Sequence, residues 1–225
     1  MTRTFDWLAQ PYRWMEYVTF GRALERCRFH LLPRLTDSRS ALLLGDGDGR
    51  FAARLLRDTP ELQLVAVDSS PTMLAALHAR CARDGNGARV QTLSTDLASA
   101  LPQAIKERSY DLVVTHFFLD CLSTAAVEHL AKQILPQLRP GARWIISEFQ
   151  VPATAMRFPA RMLIRLLYLA FRLLANLQTR SLPDYRFALR RAGFTQTAST
   201  SFLAGLLVSE MWTMSGDSAA CGSDD

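Results

Sequence analysis

Between Ala41 and Phe149 the chain repeats a pattern that few folds can accommodate. A short apolar run bounded by turn residues is followed each time by a longer amphipathic stretch. "ALLLG" and "LQLVAVD" are such runs, and "ARVQTLSTD", "YDLVVTHF" and "ARWIISEF" continue the series. Continuous apolar runs suit parallel strands covered on both faces. Helix-like stretches between them predict right-handed βαβ units. "GFTQTASTSF" and "GLLVSEMWT" have no helix between them and predict an antiparallel hairpin. The expected fold is therefore a doubly wound α/β domain, a single one at 225 residues. Residues 1–39 read as an aromatic-rich helical cap and 40–150 as the core. Residues 151–182 read as a basic amphipathic insertion, 183–215 as the last helix and hairpin, and 216–225 as a small, polar, disordered tail.

In open α/β sheets, ligands bind beyond the carboxyl ends of the strands, near the point where the strand order reverses. The loop Gly45-Asp46-Gly47-Asp48-Gly49 follows the first run, and Asp68 ends the second, nineteen residues after Gly49. An acid at that place can accept hydrogen bonds from both hydroxyls of a ribose. Gly47 to Ala52 also satisfies the dinucleotide pattern G-x-G-x-x-A, so a nicotinamide-dependent oxidoreductase is one reading. A pyrophosphate, however, would face Asp46 and Asp48, and like charges a few ångströms apart cost on the order of kcal/mol. S-adenosylmethionine has no phosphate; it carries a sulfonium, an ammonium and a carboxylate, which suit a loop of backbone N–H groups and acids. The two aspartates could instead shape the turn or cap the next helix.

Taken in order, these motifs resemble the class I S-adenosylmethionine-dependent methyltransferases over roughly residues 40 to 212. "LLLGDGDG" is similar to their glycine motif, "VAVDSS" to the acidic strand end, and "YDLVVTHFFLD" to the fourth-strand motif. "LPQLRPGARWIISEF" and "LRRAGF" complete the series. The resemblance implies a seven-stranded sheet of order 3-2-1-4-5-7-6 and S-adenosyl-L-methionine as cofactor. It places the glycine loop at the cofactor, with Asp68, Ser69 and Met73 near the ribose. Asp96 and Leu97 of "LSTDL" would stand at the adenine, and Thr115 and His116 at the end of the fourth strand. Many members carry an acid two residues before the first glycine, where this chain has Leu43, so Asp46 or Asp48 takes that role. "SEFQVP", Pro183-Asp184 and Ala192-Gly193-Phe194 more loosely resemble the ubiquinone/menaquinone-biosynthesis C-methyltransferases. That likeness implies a small, predominantly apolar acceptor. A methyltransferase-like binding protein without turnover is the non-catalytic reading.

Methyl transfer asks the protein chiefly to hold two reactants in line and to exclude water. A general base is needed only where the nucleophile begins protonated. The candidates are His116, Asp120 and Tyr12, with His116 favoured because its ordinary pKa lies near neutrality. Asp120 could equally cap the helix beginning near Ser123, and Glu148 reads as structural. Tyr12, Trp14 and Tyr17 belong to a segment that the resemblance folds over the cofactor as a lid. Their rings could face a sulfonium or simply pack on the sheet.

Charge narrows the partners. Residues 151–200 hold eight arginines against Asp184 alone, a local charge of +7 within a total of +5. Arg157, Arg161, Arg165 and Arg172 fall within about 80° of a helical wheel, opposite a broad leucine arc. Such a helix could roof the acceptor pocket, lie on an anionic bilayer, or pack against a second copy of the chain. "THFF" stands where base- and amide-methylating enzymes carry "[DNS]PP[YF]", so a small molecule ranks ahead of nucleic acid. No apolar run approaches a membrane span, and "MTRTFDWLAQPYRWMEYVTFGR" does not read as a secretory signal. The four cysteines, Cys27, Cys81, Cys121 and Cys221, are scattered, which argues against a disulfide framework or a metal site. The expected location is cytoplasmic, at most peripheral to the inner face of a membrane.

Overall fold

The computed structural model describes residues 22–95, 101–152 and 182–214. Tyr12, Trp14, Tyr17, Asp96, Leu97, the arginine-rich stretch 157–180 and the tail lie outside the described residues.

Seven strands form one sheet: β1 (Ser40–Leu44), β2 (Gln63–Asp68), β3 (Val90–Ser94), β4 (Tyr110–His116), β5 (Leu138–Phe149), β6 (Phe194–Phe202) and β7 (Leu207–Met214). Their order is 3-2-1-4-5-7-6, as the motif series implies. The first five strands run parallel, with β1 central: Leu42 stands in register with Val65 of β2 and Val113 of β4. The predicted hairpin pairs β6 with β7, and β7 joins β5 antiparallel. Its turn carries Leu203, Ala204 and Gly205 at positive φ.

The helices are α1 (Ala23–Phe29), α2 (Arg50–Asp58), α3 (Pro71–Arg83), α4 (Gln103–Lys106), α5 (Thr124–Ile134) and α6 (Tyr185–Arg191). Alternate strand residues separate the core into two layers. Leu43, Ala66, Leu112 and Ile145 meet α2 and α3 on one face, whereas Leu42, Val113, Trp144 and Ile146 meet α5 and α6 on the other. Burial on both faces explains why these strands are apolar throughout. Local side chains start the helices: Ser70 accepts the Met73 N–H, Ser123 that of Ala126, and Asp184 that of Phe187. Ser123, not Asp120, is therefore the residue that caps α5. No described helix is long and apolar enough to cross a membrane.

Candidate functional site

β1 delivers its loop to the carboxyl edge of the sheet. Gly45, Gly47 and Gly49 all have positive φ, a geometry that L side chains resist. At Gly49 a Cβ would lie 2.5 Å from Leu77 Cγ and 2.7 Å from Leu77 Cα, so this glycine lets α3 close on the loop. At Gly45 a Cβ would lie 2.6 Å from Phe118 Cδ2. At Gly47 nothing described stands within 4 Å, which leaves its face open to a ligand.

The two loop aspartates divide their tasks. Asp46 is buried, and its Oδ2 accepts the Ala52 N–H of α2 at 3.0 Å. Its Oδ1 is buried with no partner among the described residues, and burial pushes this carboxyl up to about 6. Asp48 instead turns toward arginines: Arg50 Nε is 3.2 Å from Oδ1, and Arg80 Nη2 is 2.9 Å from Oδ2. Arg80 Nε also donates to the Asp48 carbonyl, which ties the loop to α3. The capping and turn-making reading thus accounts for much of what both residues do. Only Asp46 has a buried oxygen left over.

Asp68 ends β2 beside this loop. Its Oδ1 accepts the Ser70 N–H at 2.9 Å. Burial raises its carboxyl, and the N–H groups of Ser70, Ser69 and Gly47 partly offset that effect. Met73 is half-buried on the first turn of α3, and Ser69 is exposed. An open glycine, an acid at the end of β2 and a buried spare oxygen suit a ligand bearing positive charge. They do not suit a pyrophosphate, for which the nearby acids would be repulsive.

The end of β4 sends its two last side chains to opposite faces. Thr115 points into the α5 layer, where its Oγ1 accepts the Trp144 Nε1–H at 3.1 Å. His116 emerges on the opposite face and packs edge-on against Phe51 of α2, centroids 4.5 Å apart. It is 3% exposed, and neither ring nitrogen has a partner among the described residues. Burial, reinforced by the Arg28 charge, lowers its pKa well below the usual imidazole value. The imidazole is thus neutral, with both nitrogens buried beside Phe51.

Beyond it, Phe117 has φ +54 and Phe118 covers Gly45. A 3₁₀ turn, Leu119–Cys121, carries Asp120 just beyond the end of β4. Glu148, near the end of β5, accepts the N–H groups of Phe118 at 3.1 Å and Leu119 at 2.7 Å on Oε1. Cys121 donates to Asp120 Oδ1 at 3.5 Å. After desolvation, the charges of Asp120, Glu148 and Asp68 are what push the Cys121 thiol up, so these groups share one neighbourhood. Arg28 escapes the sequence reading, and Glu148 is read there only as structural. Arg28 of α1 lies 5.8 Å from the Phe117 ring centroid, and its charge acts on Asp46 and His116. Glu148 gave one signal, a lone acid at the end of an apolar strand. Arg28, one of several arginines in a charged helix, gave none. Among the described residues no His, Cys, Asp and Glu cluster could hold a metal ion.

Comparison with known proteins places this geometry. Residues 41–141 match the family described as "Methyltransferase domain". No curated protein gives a significant match. Solved structures similar to the chain include the mitomycin 7-O-methyltransferase MmcR, at 15% identity and TM-score 0.68 over 94% of this chain and 61% of that one. An O-methyltransferase family protein from Burkholderia thailandensis is similar at 16% identity and TM-score 0.65, over 93% and 71% of the respective chains. The N-methyltransferase NodS from Bradyrhizobium japonicum WM9, solved with S-adenosyl-L-homocysteine, is similar at 16% identity and TM-score 0.60, over 85% and 87%. The chain thus spans about three-fifths of the length of MmcR. None of these three is a quinone-biosynthesis C-methyltransferase. The match over residues 41–141, together with the sheet order, identifies that segment as a methyltransferase domain.

Proposed function

We propose that the protein methylates a small, predominantly apolar acceptor whose reacting atom begins protonated. One observation carries this reading. Half-buried Phe117, Phe149 and Val151 gather at the ends of β4 and β5 against Leu24 of α1 and Leu206, at the same carboxyl edge of the sheet as the glycine loop. Such a wall takes an apolar body and leaves few polar groups to select it.

The cofactor, when bound, supplies an electrophilic methyl group on a sulfonium. Asp68 would hold its ribose, the Gly47 face would receive its backbone-like portion, and Arg28 would offer the cation for its carboxylate. The apolar wall orients the acceptor and excludes water. Asp120, whose carboxyl burial raises to about 6, is the described group we assign to take the acceptor's proton, because His116 is held neutral well below its usual pKa. Tyr12, Asp96 and Leu97 keep the roles assigned from the sequence.

Calorimetry tests the cofactor assignment: micromolar binding of S-adenosylhomocysteine is expected, with no measurable binding of NAD. Asp68→Ala should weaken it by about 1.5–3 kcal/mol for each charged hydrogen bond lost. Release of S-adenosylhomocysteine then reads an acceptor screen. Asp120→Asn should lower turnover by roughly 10²–10⁴, whereas His116→Ala should cost less than about tenfold. The reverse ranking would return the base role to His116.

For residues 157–180 we propose, from sequence alone, contact with an anionic bilayer. Each arginine near such a surface contributes about 1 kcal/mol, weakened by salt. Sedimentation with anionic but not neutral vesicles is expected, with loss on Arg161→Glu plus Arg165→Glu. A wild type that stays in the supernatant ends this reading.

A further inference from the structure

β4 ends in a turn that the chain resists. Phe117 has φ +54, a left-handed geometry that is costly for a bulky L residue. Three successive N–H groups hold it there, and β5 answers all of them. Phe117 N–H donates to the Ser147 carbonyl at 2.7 Å. The N–H groups of Phe118 and Leu119 donate to Glu148 Oε1 at 3.1 and 2.7 Å. Glu148 is 1% exposed, so bulk water has little access to these bonds.

The turn decides where the Phe117 ring goes. Had β4 continued as an extended strand, residue 117 would share the face of Thr115, where α5 packs. The left-handed turn instead carries the ring toward α1, into the cluster that holds Leu24 and Cys27. There its centroid lies 5.2 Å from that of Phe149 and 5.8 Å from Arg28 Cζ. Arg28 is half-buried, and its Nε is buried with no partner among the described residues. Its charge acts on Asp46, but no ion pair joins it to a described acid. Beside it, Phe29 packs on Phe51, in the first turn of the helix that the glycine loop opens, with centroids 5.7 Å apart.

A carboxylate in place of the Phe117 ring could fix Arg28 equally well, but it would neutralise the cation and occupy its donors. An aromatic face attracts the guanidinium through its quadrupole and leaves the charge and the N–H groups to a ligand.

We propose that Phe117 is a positioning residue of the cofactor site: its ring, fixed by the left-handed turn that Glu148 holds, aims Arg28 at the carboxylate of the cofactor's amino-acid portion. The proposal rests on the assignment of Arg28 to that carboxylate; the strained turn and the ring contact do not.

The test is calorimetry on the full chain with two ligands. One is S-adenosylhomocysteine; the other is its decarboxylated analogue, which keeps the nucleoside, sulfur and amine and lacks only the carboxylate. Phe117→Leu keeps apolar bulk and removes the aromatic face. It should weaken S-adenosylhomocysteine by about fivefold or more and leave the analogue unchanged. Phe117→Tyr restores a ring and should bind both ligands as the wild type does. Arg28→Ala should weaken S-adenosylhomocysteine by about tenfold or more, again without affecting the analogue. Glu148→Ala frees both N–H groups and should reproduce the selective loss, whereas Glu148→Gln keeps the accepting oxygen and should not. Combined with Phe117→Leu, Glu148→Ala should add nothing to that loss, because both act through one ring. Equal losses for the two ligands in Phe117→Leu would make the ring a packing element and overturn the proposal. Wild-type affinity in Phe117→Leu beside a selective loss in Arg28→Ala would also overturn it, while leaving Arg28 at the carboxylate. An Arg28→Ala variant that binds both ligands as the wild type does ends the assignment of Arg28 itself, and the proposal with it.

Discussion

Glu148 and Glu210 lie on neighbouring strands, face the same layer and are almost wholly buried, yet their surroundings are opposite. Glu210 Oε1 receives both Arg186 Nε at 2.8 Å and Arg186 Nη2 at 2.6 Å. Its Oε2 accepts Trp212 Nε1–H at 2.9 Å and Tyr185 O–H at 3.2 Å. Every acceptor direction is used, and α6 is fastened to β7 by the result. Glu148 has two backbone donors on one oxygen and a second oxygen with no described partner. A buried acid that serves the fold is fully answered. One left short at the carboxyl edge of the sheet is a candidate for chemistry.

The largest expected effect removes the answered acid. Glu210→Ala strands Arg186 and leaves Tyr185 and Trp212 without their acceptor. The loss should be about 3 kcal/mol in urea unfolding, toward the lower end for a buried pair because Arg186 is partly exposed. By contrast, Glu148→Gln should cost under about 1 kcal/mol at pH 5, because its accepting oxygen survives. Equal losses at the two positions would break the contrast.

A middle-sized effect appears in the pH dependence. Burial raises Asp46 from 3.8 to about 6 and raises Asp68 as well, alongside Asp120 and Glu148. Each of these groups binds more protons when folded than unfolded over the interval between its two pKa values. Their contribution is thus fully present below about pH 4, near the unfolded carboxylate values. It is lost as pH rises through about 6 and beyond. Stability should fall across that window, and Asp46→Asn should remove part of the slope, on the order of 1–3 kcal/mol. A flat profile for the wild type would mean that water reaches these carboxyls.

The smallest effect concerns Asp48, which resembles Glu210 in having arginine partners but lies nearer solvent. Arg80→Ala should cost under about 1 kcal/mol, since the arginine side chain is 31% exposed and Arg50 remains. Cofactor affinity should change more than stability, because Arg80 also holds the Asp48 carbonyl of the glycine loop. A calorimetric titration of S-adenosylhomocysteine against the variant checks this.

The motif order carried much of the fold. Uninterrupted runs such as Leu42–Leu44 and Leu64–Val67 can be buried only in a sheet covered on both faces, and the absence of a helix between the last two strands forced a hairpin. The cofactor loop was legible for the same local reason: three glycines and an acid nineteen residues on are properties of short segments. Which aspartate does what was not legible. Asp46 and Asp48 differ by two positions in the chain, but one meets Ala52 N–H from its own helix and the other meets Arg80 from a distant turn of α3. His116 was favoured on its ordinary pKa. The pleat of β4 turned it into the α2 layer, and a one-residue shift along a strand is enough to reverse the face.

By itself, then, the sequence determined the alternation of elements, the glycine loop, the acidic end of β2 and the kind of cofactor these can receive, because each depends on residues within a few positions of one another. Only the tertiary structure decided the standing of the acids. Glu210 is answered by Arg186, 24 residues away in the chain and within 3 Å in space, whereas Glu148 Oε2 meets no described partner. Charge acts across space in a medium that burial has stripped of water, and the chain order of the residues does not enter that energy.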